Sequence, residues 1–273
     1  VGNREVYVPQ HVFHTAAAED YPGVTAVSAK LIFPNPFTLG DYKRWYRALM
    51  PNLANKEDPD NDALLREYRA AMTIAALEEI MPEGDVEPNL HNPDAFNLRN
   101  VVIVDGRVPD DLPIPFATWV CDCAEAYFGS YVVLENRQTK IARLTRFRLS
   151  SNTIDVAEPM LAGLLPDLQT YTGSVTFAKV MTKTSYSRWQ KSLRALPGVE
   201  ATDIDNTFFM RQYRAALELI ESWAVGDIPL KLMKHKDGEE APLLLASFLV
   251  LAAEAYLAKT MTLKKMPALY GVT

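Results

Sequence analysis

Apolar positions along this chain fall into stripes at helical spacing, separated by short apolar runs that follow glycine, and the series is written twice. Tyr42, Trp45, Tyr46 and Leu49 stand at i, i+3, i+4 and i+7, one face of an amphipathic helix. Thr38 and Asp41 ahead of them have capping-box-like spacing, with Asp in place of the usual Glu or Gln. Leu65, Tyr68, Met72 and Ala75 draw a second stripe, which predicts a helix over about Asp62–Ile80. A third helix is predicted over Phe116–Phe128 behind Pro115, because proline suits a first helical turn. The later half repeats this order. Tyr186, Trp189 and Leu193 form one stripe. Phe209, Tyr213, Leu217 and Ile220 form the next, over about Thr207–Ala224, with Asp205 or Asn206 as the expected N-cap. Leu243–Ala258 follows Pro242. Ahead of each first helix, Val24–Phe33 and Val175–Val180 are rich in β-branched and apolar residues, which predicts a short strand.

The residues themselves recur as well as the pattern. Tyr42-Lys-Arg-Trp45-Tyr-Arg-Ala-Leu49 matches Tyr186-Ser-Arg-Trp189-Gln-Lys-Ser-Leu193 at four of eight positions. Arg66-Glu-Tyr-Arg-Ala-Ala71 matches Arg211-Gln-Tyr-Arg-Ala-Ala216 at five of six. Ala124-Glu-Ala-Tyr127 returns as Ala253-Glu-Ala-Tyr256, and Tyr21-x-Gly23 as Tyr171-x-Gly173. Self-similarity in one order is the signature of repeat architecture. The first copy is longer within Met81–Pro115, a proline-rich stretch that reads as loop. The expected fold is therefore mainly α with short β elements, internally duplicated into two pseudo-symmetric helical repeats. An N-terminal arm would cover 1–20, the first repeat 21–129, a connecting segment 130–170, and the second repeat with a C-terminal tail 171–273.

Composition narrows the class. Hydrophobic residues make up 48% of the 273 and charged residues 23%, the balance of a globular chain rather than a disordered one. Residues 1–20 carry charges and Pro9 within any apolar stretch, so no signal peptide is expected. Leu243–Leu257 is the most apolar run, short of the roughly 20 residues a membrane span requires, and reads as a helix buried on nearly all sides. No membrane association is expected. Two cysteines, Cys121 and Cys123, are too close along a helix to pair readily, so a reducing cytoplasmic setting is expected.

Candidate chemistry is sparse. The chain has no Gly-rich phosphate loop, no Gly-x-Ser-x-Gly elbow and no His-Glu-x-x-His. His11 and His14 could share a helix face but lack further ligands; His91 and His235 read as solvated. No catalytic residues, metal or cofactor are expected. The basic run Arg137, Lys140, Arg143, Arg146 and Arg148 has scattered spacing, and with a net charge of −6 nucleic-acid binding is not expected. Glu125 and Glu254 hold equivalent places on apolar helices and read as a charged pair or ligand contact, each within reach of a repeat arginine. Tyr42, Trp45, Tyr46, Tyr186, Trp189, Arg66 and Arg211 are read as core or as a partner-binding face, Trp, Tyr and Arg being enriched at binding hot spots.

The order of pieces is Gly173-Ser-Val-Thr-Phe177, the Trp-bearing Tyr186–Leu193, Tyr213–Trp223, then Pro242–Tyr256. It resembles the tail assembly chaperones of long-tailed bacteriophages, although here the unit is doubled. That resemblance implies a non-enzymatic helical protein that binds an aggregation-prone tape-measure protein while the tail tube is built. Two other readings stand beside it. One is an enzyme or small-ligand protein with its site in the cleft between the repeats, and the other is a structural virion component.

Overall fold

The computed structural model describes residues 11–52, 54, 56–79, 101–129, 151–158, 165, 168, 170–200, 202–234 and 239–260. The basic run 137–148, His91 and His235 lie outside them, as do residues 81–100 of the proline-rich stretch. The chain divides into two compact units: an N-unit of Pro9–Phe37 and Asp41–Gly129, and a C-unit of Ser130–Thr273 with Thr38–Gly40 and Val1–Val8.

In the N-unit, β1 (Val12–His14), β2 (Ala29–Ile32) and β3 (Ala76–Glu79) form an antiparallel sheet with β2 central. The helices are α1 (Leu39–Leu49, its first residues grouped with the C-unit), α2 (Ala63–Ile74) and α3 (Ile114–Gly129). Asp58 accepts from the Asp60 N–H to open a 3₁₀ turn over Pro59–Asn61, and Asp62 accepts from the Leu64 N–H to cap α2. In β2, Ala29 and Leu31 point inward while Lys30 and Ile32 are half-exposed, the alternation of a one-sided strand. The core gathers Leu31, Phe33, Phe37, Tyr68, Phe116 and Tyr127, all fully buried.

The C-unit has β4 (Thr153–Asp155), β5 (Gly173–Phe177) and β6 (Ile220–Val225), again antiparallel with the middle strand central. Its helices are α4 (Lys183–Ser192), α5 (Phe208–Leu217), α6 (Leu230–Lys234) and α7 (Leu243–Thr260). Thr182 caps α4 and Thr207 caps α5; the expected cap at Asp205 or Asn206 instead lies in a 3₁₀ turn over Ile204–Asn206. Gly173 has φ +119, and a Cβ there would stand 1.9 Å from the Ala224 carbonyl oxygen, so only glycine lets β5 and β6 close. Helix α7 packs against α5 and β5 and is buried from Leu243 through Leu257 except at Glu254. By length and composition it could cross a membrane, yet 78% of it lies inside the protein.

The mainly α expectation, with its two pseudo-symmetric helical repeats, is corrected: the architecture is a mix of helices with two three-stranded antiparallel sheets. The helix expected to run to Ile80 stops at Ile74, and Ala76–Glu79 pairs with β2 through Leu77 and Leu31. The helix expected to run to Ala224 stops at Leu217, and Ile220–Val225 pairs with β5 through Trp223 and Val175. Helix propensity was the misleading signal in Ala-Ala-Leu-Glu-Glu, because long-range strand pairing outweighs a few tenths of a kcal/mol per residue. His11 and His14 likewise share no helix, since Val12–His14 is a strand.

Candidate functional site

The expected binding aromatics pack inward more than outward. On α1, Tyr42 stacks against Trp45 with centroids 6.0 Å apart and tilts against Tyr46 at 6.3 Å. The Trp45 ring reaches Phe128 of α3 at 4.6 Å. All three α1 aromatics are half-buried, and burial pushes the Tyr42 phenol up to about 12. On α4, Tyr186 is half-buried against Trp189 at 5.5 Å and accepts a hydrogen bond from the Gln190 side chain at 2.9 Å. Trp189 itself is only 3% exposed, so it offers a partner almost nothing.

The arginines close helix ends. Arg66 donates through Nη1 to the Leu49 carbonyl at 3.4 Å. Arg69, which the sequence reading left aside, donates through Nε to Ala48 O at 3.0 Å and through Nη2 to Met50 O at 3.1 Å. Two guanidiniums therefore satisfy carbonyls that the last turn of α1 leaves without intrahelical partners. In the C-unit Arg214 donates to Asp205 O and, at 3.5 Å, to Arg194 O. Arg66 and Arg211 each keep a buried Nε without a hydrogen-bond partner. Glu125 is exposed on α3, and Glu254 is half-buried on α7.

Asn206, expected as an N-cap, has a different role, and the surface features that follow went unread in the sequence. Asn206 is 5% exposed and knits the loop before α5, accepting from Leu196 N–H at 2.7 Å and donating to Val199 O at 3.1 Å and Glu200 O at 2.8 Å. Around it Leu196, Val199 and Phe208 remain 36%, 37% and 44% exposed. Its place just before the α5 cap is what pointed to Asn206 as a candidate cap, but nothing periodic in a polar loop signals the three bonds it makes. In the N-unit, Val102, Val104 and Ile114 are exposed on and beside a tight turn closed by the Val104–Arg107 bridge. The C-unit also holds an open cleft of about 190 Å³, with Ser185, Arg188, Glu218, Glu221, Tyr256 and Ala178 in its lining. Tyr256 donates to the Ala178 carbonyl there at 2.9 Å. Its phenol is pushed up by burial and then by Glu221.

Burial pushes the Cys121 and Cys123 thiols up to about 12, so at neutral pH neither presents the thiolate a nucleophile requires. Among the described residues no group of three His, Cys, Asp or Glu side chains could hold a metal ion. No family model matches the sequence, and no curated protein or solved structure matches it either.

Proposed function

We propose that this chain works by binding protein partners rather than by turnover, as an assembly protein of the kind exemplified by phage tail assembly chaperones. The observation that carries the reading is the outward placement of large apolar side chains on one loop. Leu196, Val199 and Phe208 are held outward around the Asn206 side chain, which bonds the loop at three points. Exposed apolar residues gathered on one surface mark interaction sites. This moves the partner face from the aromatics of α1 and α4, which pack inward, to the loop before α5. The partner expected from the resemblance is a long tape-measure-like tail protein, met in the cytoplasm where tails assemble. Affinity capture of the tagged chain from its native host, read by mass spectrometry, tests this. Stoichiometric recovery of one large coiled-coil-rich protein, lost on Phe208→Asp, supports the reading. Recovery of the chain alone overturns it. The cleft beside Arg188 favours a second reading, a small-ligand protein, which native mass spectrometry would reveal as a bound adduct lost on Arg188→Ala.

A further inference from the structure

Two arginines hold the same place in matching helix sequences and are answered differently. Laying Tyr42-Lys-Arg-Trp45 over Tyr186-Ser-Arg-Trp189 sets Asp41 against Ser185 and Arg44 against Arg188. On α1 the Asp41 carboxylate, 6% exposed, accepts a hydrogen bond from Arg44 three residues on and neutralises it. On α4 that position holds Ser185, whose hydroxyl turns back to donate to the Thr182 carbonyl at 3.0 Å. Among the described residues Arg188 has no ion pair.

Arg188 and Ser185 both line the open C-unit cleft of about 190 Å³, with Glu218, Glu221 and Tyr256. Glu218 directly follows α5 and Glu221 lies on β6, so the acids come from different elements than the arginine. Both are exposed, and neither pairs with Arg188. The Tyr256 hydroxyl donates its proton to the Ala178 carbonyl at 2.9 Å, so towards the cleft its oxygen accepts. Helix α4 therefore contributes a fork of donors, and the acids and the phenol contribute acceptors. Leu219 and Ile220 add an apolar part to the lining.

We infer that this cleft binds a free α-amino acid with a short aliphatic side chain. Its carboxylate meets Arg188 as the Asp41 side chain meets Arg44, and its ammonium lies beside Glu218 and Glu221. A guanidinium takes a carboxylate through two parallel hydrogen bonds. An ammonium has only donors, which suits two carboxylates and the Tyr256 oxygen. The size agrees, since 190 Å³ falls below the roughly 300–1,000 Å³ of sites for drug-sized ligands. A ligand carrying one of the two charges would leave the opposite groups of the cleft unmatched. The inference deepens the small-ligand reading of this cleft and rests on it; the partner-binding reading does not enter.

Calorimetric titration of the intact chain with alanine and with valine, to about 10 mM, registers a dissociation constant of about 1 mM or tighter. Saturable binding is expected. Isovalerate, which is valine without the ammonium, and isobutylamine, which lacks the carboxylate, should each bind at least tenfold more weakly than valine. Arg188→Ala should weaken valine binding at least tenfold, and so should Glu218→Gln with Glu221→Gln. Ser185→Asp should do the same, by giving Arg188 the carboxylate that Arg44 has. An acid in the first turn of α4 suits the helix dipole, so this variant should fold, and circular dichroism checks all of them. Failure of both amino acids to bind overturns the inference. So does valine binding to Arg188→Ala and Ser185→Asp as tightly as to the parent, or isovalerate binding as tightly as valine. If such a failure comes with a different adduct on the chain purified from its host, lost on Arg188→Ala, the small-ligand reading survives without the amino acid. No adduct and no amino-acid binding would end both.

Discussion

The N-unit and the C-unit have several elements in the same order, although among the described residues only the C-unit places a further helix, α6, before its late one. Each has two strands, a helix, an Asp-capped 3₁₀ turn, a helix, a third strand and a late apolar helix. Each ties the tyrosine of its second helix to a distant carbonyl, Tyr68 to Val101 and Tyr213 to Met233. Each stacks a late-helix tyrosine on a phenylalanine at the end of its central strand, Phe33–Tyr127 at 4.6 Å and Phe177–Tyr256 at 4.9 Å. Both tyrosines then donate to the next residue's carbonyl, Pro34 and Ala178. The differences lie elsewhere. The central strand opens with Ala29 in one unit and Gly173 in the other, and Asn206 is buried where Asn61 is not. What the units share closes their cores, and what they do not share sets how each strand pair and each loop before the second helix is held.

The sharpest break in the comparison is at the opening of the central strands. Gly173→Ala forces a Cβ into the Ala224 carbonyl at a positive φ and should cost the C-unit at least about 3 kcal/mol. Ala29→Gly, at the matching place in the N-unit, should cost only about 0.5–1 kcal/mol through backbone entropy. Amide exchange followed by mass spectrometry reports each unit separately. Equal losses from the two substitutions would show that the sheets close alike after all. Next in size, Asn206→Ala removes three buried hydrogen bonds and should cost about 2–3 kcal/mol. Asn61→Ala, which loses two exposed bonds to Asn52, should cost under about 1 kcal/mol in urea unfolding.

The sequence made some of this legible and hid the rest for physical reasons. Helical periodicity located α1, α3, α4 and α7 closely, because Trp45, Phe116, Trp189 and the Leu243–Leu257 run bury a continuous stripe or a whole surface. It misread Ala76–Glu79 and Ile220–Val225, whose strand state comes from partners some 45 residues earlier in the chain rather than from local preference. Residues Val12–His14 and Thr153–Asp155 are too short to show alternation, yet each edges a sheet. The repeated aromatics and arginines were visible as a motif, but a motif does not say which way a side chain faces. Trp189 turned inward, and Arg69, outside the candidate set, closed a helix. The loop around Asn206 has no signature at all, because its order rests on one amide reaching three backbone groups.

The shared tyrosines should answer alike. Tyr127→Phe and Tyr256→Phe keep the ring stack and lose one hydroxyl bond to a carbonyl, so each should cost its unit about 1 kcal/mol. A cost confined to Tyr256 would mean that the cleft beside this hydroxyl contributes to holding it.

The smallest expected difference is in alkaline stability. Buried phenols raised from the ordinary value of 10.0 occur in both units, Tyr42 and Tyr68 in one and Tyr171, Tyr213 and Tyr256 in the other. Only the N-unit also buries thiols, Cys121 and Cys123, raised from 9.0 to about 12. A group whose folded value lies above its unfolded value keeps its proton in the native state after the unfolded chain has lost it. The stability it confers is therefore complete below the unfolded value and falls as pH climbs toward the folded one. The thiols begin to act against the N-unit near pH 9, and the phenols against both units near pH 10. Between those points amide protection should decline in N-unit peptides while C-unit peptides hold, and Cys121→Ala with Cys123→Ala should abolish the early decline. Parallel decline of both units from pH 9, or an early N-unit decline that survives removal of both thiols, would place the pH response outside this cysteine pair.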